Sequence, residues 1–141
     1  MIAYFDTSAV IPLIIEEPTS PQCRRLWNDA NRILSVRLLY PEARAAIARA
    51  NRLGRITTAQ LVAAVNELDD IVQQVDHIEL TTALARTAGE LAQAHGLRGY
   101  DAVHLAAAQT AADPELVLVT GDNELATAAT AIHLAITNPN R

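Results

Sequence analysis

Short apolar segments alternate along this chain with longer segments in which apolar residues recur every three to four positions. The short segments are predicted to be strands, and they cover residues 1–5, 32–36, 77–80, 116–120 and 133–136. Strands that alternate with helices form a parallel sheet with helices on both faces. The sequence therefore predicts an α/β fold, a three-layer α/β/α sandwich around a mainly parallel sheet.

The segments between these strands carry the residue types that begin and end helices. Thr7 or Ser8 is expected to cap a first helix over residues 9–15. Further helices are expected from Ser20, from about Leu38 to Gly54, from Thr57 or Thr58, from Thr81 or Thr82 to Gly96, and over residues 124–130. Residues 100–112 are apolar nearly all round, so we expect a helix that packs on several sides.

The length and charge of the chain limit the classes of function. A chain of 141 residues predicts one domain, spanning residues 1–141. The net charge of -5 argues against a large basic surface for duplex nucleic acid, although a few arginines can still bind RNA locally. All 11 basic residues are arginine, which excludes any mechanism that needs a lysine.

Five arginines fall within one short region of the sequence. Two interpretations remain open, since their guanidinium groups could bind phosphates or could simply form the solvated face of a helix. The five residues are Arg37, Arg44, Arg49, Arg52 and Arg55.

The N-terminal region and the single cysteine favour a cytoplasmic protein that does not enter a membrane. The apolar start is interrupted by Asp6, Pro12 and two glutamates, which is untypical of a signal peptide or a membrane span. One cysteine, Cys23, allows no disulfide within the chain and is expected to be a small core residue. Both observations fit a reducing compartment.

Four acidic residues lie beside segments that are predicted to be buried. Asp6 and Asp122 each follow a strand, Asp101 lies in the first turn of an apolar helix, and Glu42 lies beside an apolar stripe. Each has an ordinary explanation on its own, as a turn, a helix start or a surface acid. Ligands of parallel sheets bind at the carboxyl ends of the strands, and the predicted fold could bring all four there.

A cluster of four carboxylates would be unfavourable without a cation, because each would raise the proton affinity of the others. A hard divalent ion such as Mg²⁺, or alternatively Mn²⁺, would relieve this repulsion through oxygen ligands. Zinc is disfavoured because the four histidines show no paired ligand spacing. They are His77, His95, His104 and His133, and His104 is expected to be structural.

The chain resembles the PIN-domain ribonucleases, and within them the VapC-like toxins of bacterial toxin-antitoxin pairs. The matching residues are Tyr4-Phe5-Asp6-Thr7-Ser8-Ala9, Glu42, Gly99-Tyr100-Asp101-Ala102-Val103-His104-Leu105-Ala106 and Val119-Thr120-Gly121-Asp122. They follow the order found in that family and span nearly the whole chain.

This resemblance implies a PIN-like fold and a Mg²⁺-dependent endoribonuclease that is inhibited by a cognate VapB-like antitoxin and forms a homodimer. It implies that Asp6 and Asp101 are the principal metal ligands, with Glu42 and Asp122 completing the acidic pocket. Hydroxyl groups that could orient water or carboxylates are those of Thr7, Ser8 and Thr120. Glu124 competes with Asp122 for its role.

Two other functions remain open at this point. A phosphotransfer enzyme could use Asp6 as its nucleophile, although residue 8 is Ser rather than a second Asp and no lysine is present. Alternatively, the chain could be a non-catalytic PIN-like module that binds RNA or a protein.

Overall fold

The structure is a computed structural model that describes residues 1–111 and 113–140. Its strands are β1 (Ile2–Phe5), β2 (Arg32–Val36), β3 (Asp76–Ile78), β4 (Leu116–Val119) and β5 (Ala135–Thr137). Its helices are α1 (Thr7–Ile14), α2 (Ser20–Asp29), α3 (Leu39–Arg52), α4 (Thr58–Val72), α5 (Thr82–His95), α6 (Gly99–Ala111) and α7 (Asn123–Ala131). Within the described residues, none of these helices is long and apolar enough to cross a bilayer.

The five strands form one parallel sheet in the order β3-β2-β1-β4-β5. From the central strand β1, the chain first builds one half of the sheet through β2 and β3. It then returns to the other side of β1 to add β4 and β5. The strand order therefore reverses between β1 and β4, which is where ligands bind in open parallel sheets.

Helices cover both faces of the sheet, as the sequence predicts. Side chains alternate along β1, so Tyr4 joins a core with α5, α6 and α7, whereas Ala3 and Phe5 join a core with α1. A third apolar cluster joins α1, α3 and α4 outside the second face. The fold is therefore the three-layer α/β/α sandwich, with every strand parallel.

Helix α6 is buried on several sides, which explains its apolar sequence. Its buried residues are Asp101, Ala102, His104, Leu105, Ala106, Ala107 and Ala108. The helix begins at Gly99, one residue before the predicted start, and the predicted last residue, Ala112, lies outside the described residues. Small alanine side chains allow α6 to pack closely between the sheet and its neighbouring helices.

Some predicted boundaries were wrong for local reasons. Helix α1 is capped by Asp6 rather than by Thr7 or Ser8, because the Asp6 carboxylate accepts a hydrogen bond from the Ala9 amide. The last strand begins at Ala135 because His133 has a left-handed backbone, with φ at 67°, in the turn after α7. The third strand lies at Asp76–Ile78, slightly before its predicted position.

Cys23 is a core residue, as predicted. Its thiol is buried, and burial raises its pKa to about 11. The thiol is therefore protonated at neutral pH.

Truncation of Leu105 tests whether α6 is the buried centre of one apolar core. Leu105 is fully buried, so we expect Leu105→Ala to lower the free energy of unfolding by ~2 to 5 kcal/mol through lost contacts and a cavity. Denaturant unfolding would measure the change. Val62→Ala is the control, because Val62 is 58% exposed and should change the stability by less than ~0.5 kcal/mol. Equal effects of the two substitutions would contradict this packing.

Candidate active site

The four acidic residues lie at the edge of the sheet where the strands end. Asp6 directly follows β1, and Asp122 follows the adjacent strand β4 after two residues. Glu42 lies in the first turn of α3, which follows β2. Asp101 lies in the first turn of α6, whose other end leads into the start of β4. All four are therefore at the carboxyl edge, near the reversal of strand order.

Asp6 is held by hydrogen bonds to both of its carboxylate oxygens. Ser8 Oγ donates to Oδ1 at 2.7 Å, the Ala9 amide donates to Oδ1 at 3.1 Å, and Thr120 Oγ1 donates to Oδ2 at 2.5 Å. Only 3% of Asp6 is exposed. Burial raises the pKa of Asp6 above its ordinary value, and the opposing influence of His104 and the two hydroxyls does not compensate fully.

The same hydroxyls connect the loop after β4 to the first turn of α1, which follows β1. The Gly121 amide donates to Ser8 Oγ at 2.9 Å, and the Asp122 amide donates to Thr120 Oγ1 at 3.0 Å. A side chain at residue 121 would place a Cβ 3.3 Å from Asn140 Nδ2 and 3.6 Å from Ser8 Oγ. Glycine at this position therefore allows the loop after β4 to approach Ser8 and Asn140 closely.

Arg98 lies between two of the carboxylates. Its Nε donates to Asp101 Oδ2 at 3.1 Å, and its Nη2 lies 3.6 Å from Asp122 Oδ2. Burial and then the negative charge of Asp122 raise the pKa of Asp101, while Arg98 opposes the rise. The Arg98 side chain is 61% exposed, so its charge offsets the two acids only in part.

Glu42 is held by a separate set of side chains. Thr7 Oγ1 donates to Glu42 Oε1 at 2.9 Å, and His104 Nε2 lies 2.6 Å from the same oxygen. The other ring nitrogen of His104, Nδ1, is 2.8 Å from the hydroxyl of Tyr4. His104 is buried, which fits its predicted structural role, and it also contacts a candidate site residue.

The donor set fits a hard divalent cation. Carboxylate and hydroxyl oxygens line this edge, and burial makes the charged forms of Asp6 and Asp101 costly. Across residues 1–111 and 113–140, no three acidic, histidine or cysteine side chains are grouped so as to hold a metal ion. Mg²⁺ typically binds through one or two carboxylates, which these acidic residues could provide, and keeps several waters.

Three features of the site were missed by sequence reasoning. Arg98 lies three residues before Asp101, and His104 lies three residues after it. This spacing is about one helical turn, so it could have indicated that both side chains lie near the acidic residues. The pairing of Tyr4 with His104 joins residues 100 positions apart, which spacing cannot reveal. Glu124 lines an open cavity of about 410 Å³ together with His95, whereas Asp122 lies beside Arg98.

The arginines between residues 37 and 55 have local partners. Arg37 pairs with Glu79, Arg55 pairs with Glu17, and Arg44 lies over the ring of Tyr40. These contacts favour the interpretation of a solvated surface for those three arginines. Arg98, outside that region, contacts Asp101 and Asp122.

Comparisons with known proteins give one consistent family. The family model for the PIN domain matches residues 3–131. The chain is 42% identical over 128 residues to ribonuclease VapC45 of Mycobacterium tuberculosis, covering 91% of this chain and 89% of that protein. The crystal structure of PAE2754 from Pyrobaculum aerophilum has a TM-score of 0.72 at 24% identity, covering 96% of this chain and 83% of that one. A toxin-antitoxin complex from Klebsiella pneumoniae contains a chain with a TM-score of 0.67 at 20% identity, and 97% of each chain is covered.

Neutralising Asp101 should stabilise the protein when no divalent ion is present. Because the folded state raises the pKa of this acid, the contribution of Asp101 to stability is most favourable at low pH and is lost as the pH rises through the raised pKa. We therefore expect Asp101→Asn to raise the melting temperature at pH 7 by ~2 to 5 °C. Thermal unfolding followed by circular dichroism would measure it.

The advantage of Asp101→Asn should shrink as the pH is lowered to ~4, where the wild-type carboxyl begins to protonate in both states. Asp70→Asn is the matched control, because Asp70 is exposed on α4 and should change little. A lower melting temperature for Asp101→Asn at pH 7 would mean that the Arg98 ion pair outweighs burial.

Proposed function

This chain belongs to the PIN domain family, and from that premise we propose that it is a metal-dependent endoribonuclease, the toxin of a toxin-antitoxin pair. One PIN-like nuclease domain would span residues 1–141. The reaction would be hydrolysis of RNA phosphodiester bonds. The 42% identity to a protein named as a ribonuclease supports this assignment.

The observation that carries the proposal is that shared hydrogen-bonding partners connect Asp6, Asp101 and Asp122 near the reversal of strand order. Thr120 links the first and third by accepting from the Asp122 amide while donating to the Asp6 carboxylate. Arg98 links the second and third. A concentration of buried negative charge costs free energy, so its presence supports a cation-binding role.

We assign the metal to Asp6 and Asp101, with Glu42 and Asp122 as further candidate ligands. A bound Mg²⁺, or Mn²⁺ in its place, would neutralise charge on the scissile phosphate and make water a better nucleophile. Ser8 and Thr120 would hold the Asp6 carboxylate in one orientation, since each hydroxyl donates to a different oxygen. Thr7 would do the same for Glu42.

The proposed reaction also needs a general base and a group that binds the phosphate. Asp101 or Glu42 would accept the proton of the attacking water. The exposed guanidinium of Arg98 lies among the acids and would contact a phosphate oxygen of the substrate.

Substitution of the two principal acids tests the proposed reaction. Asp6→Asn and Asp101→Asn should each lower Mg²⁺-dependent cleavage of RNA by at least ~100-fold, because each removes a charge that would hold the ion. Cleavage of defined RNAs, with and without Mg²⁺ or Mn²⁺, would be followed by gel electrophoresis. Asp70→Asn makes the same chemical change on the exposed face of α4 and should keep full activity.

Undiminished cleavage by either active-site variant would refute the assignment of that residue. Tight RNA binding by the wild type without cleavage in Mn²⁺ would favour the alternative of a non-catalytic binding module. That alternative draws on the lack of a three-residue metal group in the part of the chain that the structure describes.

We propose a VapB-like antitoxin as the protein partner, a homodimer as the toxin's own assembly, and the cytoplasm as its location. The likeness to a chain from a solved toxin-antitoxin complex supports the partner.

Expression of this chain alone should arrest growth, whereas expression of Asp6→Asn should not. Co-expression of a small protein that co-purifies with the chain should restore growth, and unaffected growth with the wild type would contradict toxicity. Analytical ultracentrifugation would test the dimer.

A further inference from the structure

A buried line of hydrogen bonds runs from the sheet to Glu42. It begins at the Tyr4 hydroxyl on β1, passes through both ring nitrogens of His104 on α6, and ends at Glu42 Oε1 on α3. The two distances are 2.8 Å and 2.6 Å. Tyr4 is fully buried and His104 is 2% exposed. These hydrogen bonds therefore connect β1, α6 and α3.

Hydrogen bonds at both ring nitrogens fix the orientation of His104. Nε2 lies 2.6 Å from Glu42 Oε1, a distance at which a ring N–H donates to a carboxylate oxygen. The Tyr4 hydroxyl lies 2.8 Å from Nδ1, on the other side of the ring. The ring is therefore held from both sides, with Nε2 directed at Glu42.

The two bonds to Glu42 converge on one oxygen. Thr7 and His104 both contact Oε1, and in the described residues these are the hydrogen bonds that hold this carboxylate. The Glu42 side chain is 21% exposed. Fixing Oε1 orients the second oxygen, Oε2, for water or substrate.

We propose that His104, oriented by Tyr4, is a positioning residue that holds Glu42 in the geometry required for cleavage. This inference rests on the proposed function. A histidine that merely fills the core would affect stability alone. A positioning residue acts through Glu42, so its loss should matter only when Glu42 is present.

A double-mutant cycle separates these two roles. His104→Leu should lower kcat for Mg²⁺-dependent RNA cleavage by about tenfold or more, with KM changed by less than about twofold, because Glu42 is misplaced rather than absent. In the Glu42→Gln background, the same substitution should change kcat by less than about twofold. His95→Leu is the matched control and should leave activity unchanged, because His95 lines the cavity beside Glu124 and takes no part in the hydrogen bonds from Tyr4 to Glu42.

Two milder variants keep the test valid if His104→Leu does not fold. His104→Gln retains an amide N–H that can reach Glu42, so it should recover a large part of the lost kcat. Tyr4→Phe removes one hydroxyl and should lower kcat by about threefold, again only when Glu42 is present. Melting temperatures of every variant would be measured alongside.

Three results would overturn the proposal. Equal losses of kcat for Tyr4→Phe or His104→Gln with and without Glu42 would show a general structural role. Full activity in a folded His104→Leu protein would exclude any role in cleavage. A wild-type protein that cleaves no RNA with Mg²⁺ or Mn²⁺ would overturn the proposed function together with this inference, whereas an active wild type with additive losses would overturn the inference alone.

Discussion

The cost of keeping the Asp6 carboxylate away from water shapes the structure around it. The side chain is almost fully buried, and three donors are supplied by Ser8, Ala9 and Thr120. These donors come from the first turn of α1, after β1, and from the residue after the adjacent strand β4, so the carboxylate joins the two halves of the sheet where the strand order reverses. The raised pKa means that these bonds offset burial only in part. The remaining cost is what a cation would relieve.

The same residues serve both the fold and the site. Asp6 caps α1 by accepting from the Ala9 amide, and Asp122 caps α7 by accepting from the Leu125 amide. A carboxylate at a helix N-terminus is favoured by the helix dipole, which helps to retain the ionised form. An amide in place of either acid can still accept the capping bond, since Asn is also a good cap. Loss of activity in an Asp6→Asn protein would therefore report on charge rather than on unfolding.

The sequence predicts the architecture and the acidic residues because both depend on local patterns. Alternation of apolar strands with helices leads to the parallel sheet, and carboxylates after β1 and β4 lie together because those strands are neighbours. The predicted cap of α1 was wrong because three successive residues, Asp6 to Ser8, are all of types that cap helices well. Contacts that join distant residues, such as Tyr4 with His104, depend on how α6 packs on the sheet. Periodicity places both side chains inside the protein and leaves their pairing undetermined.

The acidic residues are held in two different ways, and the two ways differ in how easily the partner of the carboxylate can move. Asp6 and Glu42 are held by hydroxyls and by a buried imidazole, on or beside elements that pack against the sheet. Asp101 and Asp122 instead share Arg98, whose side chain is largely exposed. Moving an exposed arginine away from its acidic partners costs little free energy, because exposed ion pairs are weak. The first pair is therefore held by the packed elements themselves, whereas in the proposed reaction the arginine of the second pair would be free to turn to a phosphate.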